Sequence, residues 1–142
     1  MAKLRHIALA VPDPEKAAKF YSEVFDMKIV EPTESPIASG WYLTDGTICL
    51  ALLNYKTDAA AGLDRGKNWV GTHHFGFWVD DLEPYLARAA KAGVQLARAT
   101  VDCVARHYGY DDASDASCVR TAQMSDPEGN VIQLDQWVGA SG

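Results

Sequence analysis

Few side chains in this 142-residue chain have the chemistry of a reactive or metal-binding group, and two of them are placed alike. His6 and His74 stand 68 positions apart, each the second residue of a matching segment: Arg5-His6-Ile7-Ala8-Leu9-Ala10-Val11 and His73-His74-Phe75-Gly76-Phe77-Trp78-Val79. An imidazole can ligate zinc, iron or nickel, pass a proton, or simply hydrogen-bond inside a core, so either histidine alone specifies little. Alternation puts His6, Ala8 and Ala10 on one strand face and Ile7, Leu9 and Val11 on the other. His74, Gly76 and Trp78 repeat the first face, with small residues beside each imidazole that leave room for a ligand. His73 takes the opposite parity and is expected to pack near a helix or reach solvent rather than bind metal.

Other reactive constellations are missing. The chain has no glycine-rich phosphate loop, no G-x-S-x-G and no H-E-x-x-H, which removes the usual signatures of nucleotide hydrolysis, serine hydrolases and zinc proteases. Cys49, Cys103 and Cys118 form no C-x-x-C pair and leave an odd thiol, so free cysteines in a reducing compartment are expected. The stretch from Asp102 to Ala116 has no clear period and is longer than most connections. As a loop it makes Arg106, His107 and Tyr108 candidates for substrate contact, an ordinary solvated loop being the alternative. A formal charge of −6, with Lys and Arg thinly scattered, disfavours nucleic acid as a partner. A hydrophobic share of 48% and a charged share of 23% suit one globular domain, and no apolar run approaches the roughly 20 residues of a membrane span. The N-terminus enters alternating sequence without a signal-peptide pattern, so a cytoplasmic protein acting on a small molecule is expected.

The elements that must position the histidines follow from period and punctuation. Asp13 and Pro14 open a helix expected over Pro14–Phe25, with Ala17, Phe20, Tyr21, Val24 and Phe25 as its apolar stripe and Phe20, Tyr21 and Phe25 as its core residues. A short strand over Met27–Glu31, a two-proline loop over Glu31–Gly40, and strands over Trp41–Leu43 and Thr47–Leu53 around Asp45-Gly46 complete the first half. The second half repeats this. Its helix follows Asp80 and Asp81 with the stripe Leu82, Tyr85, Leu86 and Ala89, and strands are expected over Val94–Ala99, Ser117–Met124 and Val131–Trp137. One domain, 1–142, then holds a first module at about 4–55, a linker at about 56–71 with a possible helical turn at Ala59-Ala60-Ala61, and a second module at about 72–137.

His6 in a strand before Asp13-Pro14, the helix with Phe20-Tyr21, the strand His74 to Val79 followed by Asp80-Asp81, and Asp126-Pro127-Glu128-Gly129-Asn130 before an apolar strand together resemble the vicinal oxygen chelate superfamily. That superfamily includes glyoxalases, bleomycin-resistance proteins and extradiol dioxygenases, and the resemblance runs from Leu4 to Trp137. It implies an α+β fold of two tandem βαβββ modules forming a cupped mixed β-sheet with helices on the outside, and a homodimer. Metal-dependent relatives carry ligands on the first and last strand of each half. Position by position this implies His6, a residue between Cys49 and Ala51, His74 and Gln133. Cys49 and Ala51 share a face, and the alignment slips by two residues depending on whether Gly46 or Asn54 anchors it. A thiolate ligand follows from the first match and none from the second. Gln133 stands where Glu is frequent; its oxygen can coordinate, but it brings no anionic charge and cannot act as a general base. Cys49, Ala51, Trp78, Arg106, His107 and Tyr108 make up the substrate-pocket candidates. The implied activity is isomerase, epimerase or lyase chemistry on vicinal oxygens, assisted by a divalent ion such as Zn, Ni, Fe, Mn or Co. A metal-free binder of the bleomycin-resistance type and an extradiol-type dioxygenase are the alternatives.

Overall fold

A computed structural model of the protein describes residues 1–94, 96–102 and 117–139. The elements run β1 (Lys3–Ala10), α1 (Pro14–Phe25), β2 (Lys28–Glu34), β3 (Ala38–Thr44), β4 (Cys49–Tyr55), α2 (Asp58–Ala61), β5 (Gly71–Trp78), α3 (Leu82–Lys91), β6 (Leu96–Asp102), β7 (Ser117–Ser125) and β8 (Val131–Gly139). The β-α-β-β-β order occurs twice in a mixed α+β fold, with α2 in the connecting segment. The described residues fall into two compact units, one formed by Met1–His6 with residues from His74 onward and the other by Ile7–His73. Strand β1 contributes to both.

In the unit from His74 onward the strand order is β1-β5-β8-β7-β6. Strand β5 runs parallel to β8, with Gly76 opposite Gln133 and Trp78 opposite Asp135, while β6, β7 and β8 are antiparallel. Asp81 caps α3 by accepting from the Glu83 amide, and Leu82 donates its own amide to Gln136 Oε1 on β8. The stripe expected of α3 is the one that packs: Leu82 is fully buried with Val79, Met124 and Leu134, and Tyr85, Leu86, Ala89, Phe77 and Ile132 close around them. Burying a leucine of this kind stabilises by about 1.5–3 kcal/mol. Ile132 and Leu134 thereby occupy the helix side of β8, which turns Gln133 and Asp135 to the other side.

In the unit Ile7–His73 the order is β2-β3-β4-β1. Asp13 accepts from the Lys16 amide at 3.1 Å and Pro14 takes the first helical position, so α1 begins and ends where periodicity places it. Its packing differs from expectation. Ala18 is the buried residue, with Ala17 and Tyr21 against Leu43, Leu50 and Leu52, whereas Phe20 and Phe25 are 52% and 62% exposed. The docked line runs through Ala17, Ala18 and Tyr21; Phe20 and Phe25 lie further round, Phe25 stacked on Tyr21 and Phe20 edge-on to both. The two-proline loop is also shorter than expected, because β2 continues through Pro32 to Glu34. As an edge strand β2 leaves the missing amide of proline without consequence. Ser35 Oγ then accepts from the Ile37 and Ala38 amides in a tight turn around Pro36. The helical turn expected in the linker is α2, capped by Thr57. Of the cysteines, Cys49 is a buried thiol, but Cys118 is disulfide-bonded, which corrects the expectation of three free thiols.

The closest backbone approach among the glycines is at Gly40 in β3. A Cβ there would lie 1.8 Å from the Leu52 carbonyl oxygen on the adjacent strand, a backbone atom that cannot move aside without breaking the β3–β4 ladder. Gly40→Ala should therefore lower unfolding free energy by about 3 kcal/mol or more. Denaturant titration checks it, and a loss below about 1 kcal/mol would contradict this packing.

Candidate functional site

Strands β1 and β5 share one burial alternation, and its inward phase starts at the histidine in each: His6, Ala8 and Ala10 are buried in β1, His74, Gly76 and Trp78 in β5. His6 and His74 are 3% and 6% exposed. Their Nε2 atoms lie 3.3 Å apart, with ring centroids at 5.2 Å and planes inclined by 29°. Gly76 makes room for this pair and for a third side chain. A Cβ on Gly76 would lie 3.1 Å from the His6 Cβ and 3.2 Å from the Gln133 Cβ, so the bare Cα is what lets His6 and Gln133 stand close on one face. Burial pushes the His6 imidazole down to about 4, which keeps it neutral, the form that carries a lone pair.

Around Gln133 the face is a row of hydrogen-bonded polar groups. Gln123 and Thr121 on β7 stand opposite Gln133 and Asp135 on β8. Gln133 Nε2 donates to both Asp135 oxygens, at 2.9 and 3.2 Å, and Gln133 Oε1 accepts from Gln123 Nε2 at 3.3 Å. Thr121 Oγ1 donates to Asp135 Oδ1 at 2.6 Å. Asp135 has no exposed surface. Burial raises its carboxyl to about 6, against the lowering effect of the Thr121 and Gln133 hydrogen bonds. Trp78 stands opposite Asp135 across the β5–β8 pairing and stacks on Trp137, centroids 4.3 Å apart. Sequence reasoning placed Trp78 on this face but missed Asp135. The signal was available: Gln133 and Asp135 have the same parity, opposite to that of the apolar Ile132 and Leu134.

The pairing registers distinguish Cys49 from Ala51. Val79 donates its amide to the Asp135 carbonyl, and Val11, the residue matching Val79 in the repeat, donates to the Leu53 carbonyl, both at 2.9 Å. Leu53 thus corresponds to Asp135 and Ala51 to Gln133. Ala51 carries no ligand atom, and Cys49 lies two residues away, fully buried. Arg106, His107 and Tyr108 lie outside the described residues. His73 is engaged elsewhere: its Nε2 donates to the Ala61 carbonyl of α2, its Nδ1 accepts from the Tyr55 hydroxyl, and its ring stacks on Tyr55. Burial lowers its pKa, as that neutral tautomer requires.

The donor set among the described residues is two imidazoles and one amide oxygen; no group of three or more His, Cys, Asp or Glu side chains gathers there. The pair itself suits a divalent ion. Nitrogens about 2.0–2.1 Å from a tetrahedral ion stand roughly 3.4 Å apart, close to the spacing of the two Nε2 atoms. The Gln133 amide adds an oxygen donor with a lone pair beyond the one Gln123 uses.

A family model described as Glyoxalase/Bleomycin resistance protein/Dioxygenase superfamily matches residues 3–134. No curated protein matches the chain. Among solved structures, the fold is similar to methylmalonyl-CoA epimerase from Mycobacterium tuberculosis, with a TM-score of 0.67 and 20% identity over 94% of this chain and 86% of that one. A variant of the Streptomyces coelicolor epimerase in complex with 2-nitronate-propionyl-CoA gives 0.69 and 19%, over 96% and 97%. A variant of 4-hydroxymandelate synthase from the same organism gives 0.73 and 16%, covering 99% of this chain but only 49% of that longer one.

The Asp135 carboxyl generates a pH signature. Its folded pKa is raised, so the folded state holds the proton more tightly than the unfolded one, and the stability this contributes is present at low pH and lost as pH rises from 3.8 through about 6. Asp135→Asn removes that dependence. The Tm of the variant relative to wild type should therefore climb between about pH 4 and about pH 7 and level off above; a difference constant across that range would show that Asp135 ionises without penalty.

Proposed function

We propose that this chain, which belongs to the Glyoxalase/Bleomycin resistance protein/Dioxygenase superfamily, is an enzyme that holds a divalent metal ion through His6 and His74, with Gln133 assisting, and acts on a small molecule bearing neighbouring oxygens. The observation that carries this reading is the convergence of two buried Nε2 atoms from matching positions of the repeat. A divalent ion bound there supplies positive charge that favours anionic oxygen in the substrate, the requirement shared by isomerisation, epimerisation and lyase chemistry. The epimerase neighbour was solved with a nitronate, a planar delocalised anion, which makes carbanion chemistry next to a carbonyl the leading class.

The chain's own residues do the rest. Burial keeps the His6 imidazole neutral and ready to ligate, and Gly76 admits the Gln133 side chain beside the pair. Burial of Gln133 and Asp135, with Trp78 opposite Asp135, keeps that face out of water, which strengthens electrostatic interactions on it. An uncharged amide at Gln133 leaves a bound dication less neutralised than a carboxylate would, and so more strongly electrophilic. The second reading is a metal-free small-molecule binder, favoured by Ala51, which removes the ligand atom at the position matching Gln133. A homodimer belongs to the leading reading; Phe20, Val24 and Phe25 on α1 and Ile29 on β2 leave apolar surface for a second subunit.

Protein purified without a histidine tag should carry about one equivalent of divalent metal per chain. His6→Ala combined with His74→Ala should abolish uptake while the far-ultraviolet circular dichroism stays that of the wild type. A wild type that takes up no metal from a divalent-ion titration supports the binder instead. Sedimentation should give twice the 15.5 kDa chain mass, and a monomer at micromolar concentration would contradict the dimer.

A further inference from the structure

The geometry points to Asp135 as a positioning residue that fixes which end of the Gln133 amide faces the histidines. The inference rests on the metal reading above and adds a residue to it. A glutamine amide has two ends of similar shape and opposite chemistry, an oxygen that ligates a cation and an NH2 that repels one. Nothing in the glutamine itself chooses between them.

Asp135 makes the choice. Gln133 Nε2 donates to Asp135 Oδ2 at 2.9 Å and to Oδ1 at 3.2 Å, and Oδ1 also accepts from Thr121, so the end of the amide that meets Asp135 is the NH2. The carboxylate is held in place by Thr121 Oγ1, which donates to Oδ1 at 2.6 Å, and by total burial. The oxygen is then turned away from Asp135. Strands β5 and β8 run parallel with Gly76 opposite Gln133 and Trp78 opposite Asp135, so His74, two residues before Gly76, lies on the other side of Gln133 from Asp135. The amide oxygen is thus turned away from Asp135; on its β7 side it accepts from Gln123 Nε2 at 3.3 Å, which leaves its second lone pair for a ligand. The first half shows what happens without this device: Ala51 and Leu53 stand at the positions matching Gln133 and Asp135, so the amide and the carboxylate are lost together.

Asp135→Asn tests the assignment because it keeps shape and replaces one acceptor by a donor. With Thr121 still donating to the remaining oxygen, the introduced NH2 meets Gln133, and the Gln133 amide must reverse. In wild type, the Gln133 side-chain amide protons should show nuclear Overhauser contacts to Thr121 and Asp135; in the variant these contacts should move toward Gln123. Zinc affinity by calorimetry should fall about ten- to a hundredfold. In a Gln133→Glu background, where both ends of the side chain are oxygens, Asp135→Asn should cause no such fall, since there is no wrong end to present. Equal weakening in both backgrounds would mean that Asp135 acts only by general packing and would overturn the assignment, as would wild-type amide protons facing Gln123. If neither wild type nor Gln133→Glu takes up zinc, the metal reading fails by itself, and the direction of the wild-type amide alone decides whether Asp135 orients it.

Discussion

A row of polar side chains buried on one face of a sheet has to satisfy its own hydrogen bonds, because an unpaired amide or carboxylate removed from water costs several kcal/mol. That constraint organises the second half of this protein. His6, His74, Gln133 and Asp135 are all at most 6% exposed. The chain of donors from Gln123 to Gln133 to Asp135, closed by Thr121, leaves each member with a partner and each amide with a defined orientation. The register of β7 against β8 is what makes it possible, since it sets Gln123 against Gln133 and Thr121 against Asp135. A one-residue slip of β8 would exchange Gln133 and Asp135 for Ile132 and Leu134 and turn two polar groups into the helix core.

The two halves share a frame and differ in what they put on it. Matching amide-to-carbonyl bonds from Val11 and Val79 show that the pairing geometry is conserved between halves. On that frame Gln133, Asp135 and Trp137 correspond to Ala51, Leu53 and Tyr55. The first half uses these positions for packing: Leu53 and Tyr55 join Ala10, Ala38 and Ala61 in an apolar cluster under α2, and Tyr55 holds His73 to the connecting segment. The second half uses them for polar chemistry. Internal repetition supplied the scaffold, and at three positions of one strand the first half carries apolar packing where the second carries a buried hydrogen-bonded pair and a tryptophan.

Much of this was legible in the residues. Capping by Asp13 and Asp81, the period-two alternation around His6 and His74, and the acidic turn at Asp126 gave the element order and the shared face of the histidines, because each is a local rule that tertiary packing here reinforces. The misplaced features have nonlocal causes. Phe20 and Phe25 fit a helical stripe, yet which flank of α1 docks depends on the small residues Ala17 and Ala18, which the hydrophobic pattern ranks below aromatics. Pro32 reads as a loop until β2 is known to be an edge strand. The choice between Cys49 and Ala51 needed the Leu53 and Asp135 pairing, which no single-strand pattern contains. Asp135 went unnoticed because a lone acid near a chain end reads as surface, although its parity with Gln133 marked it as inward.

The pairing of the His6 and His74 Nε2 atoms as one ligand, with His73 apart, is what the rest depends on. Long-range proton–nitrogen correlation spectra of the histidine rings during a zinc titration test it most directly. The Nε2 resonances of His6 and His74 should shift together and saturate at one equivalent, with the proton of each ring on Nδ1 and His73 unmoved. Saturable shifts confined to His73, or to only one of the pair, would contradict it.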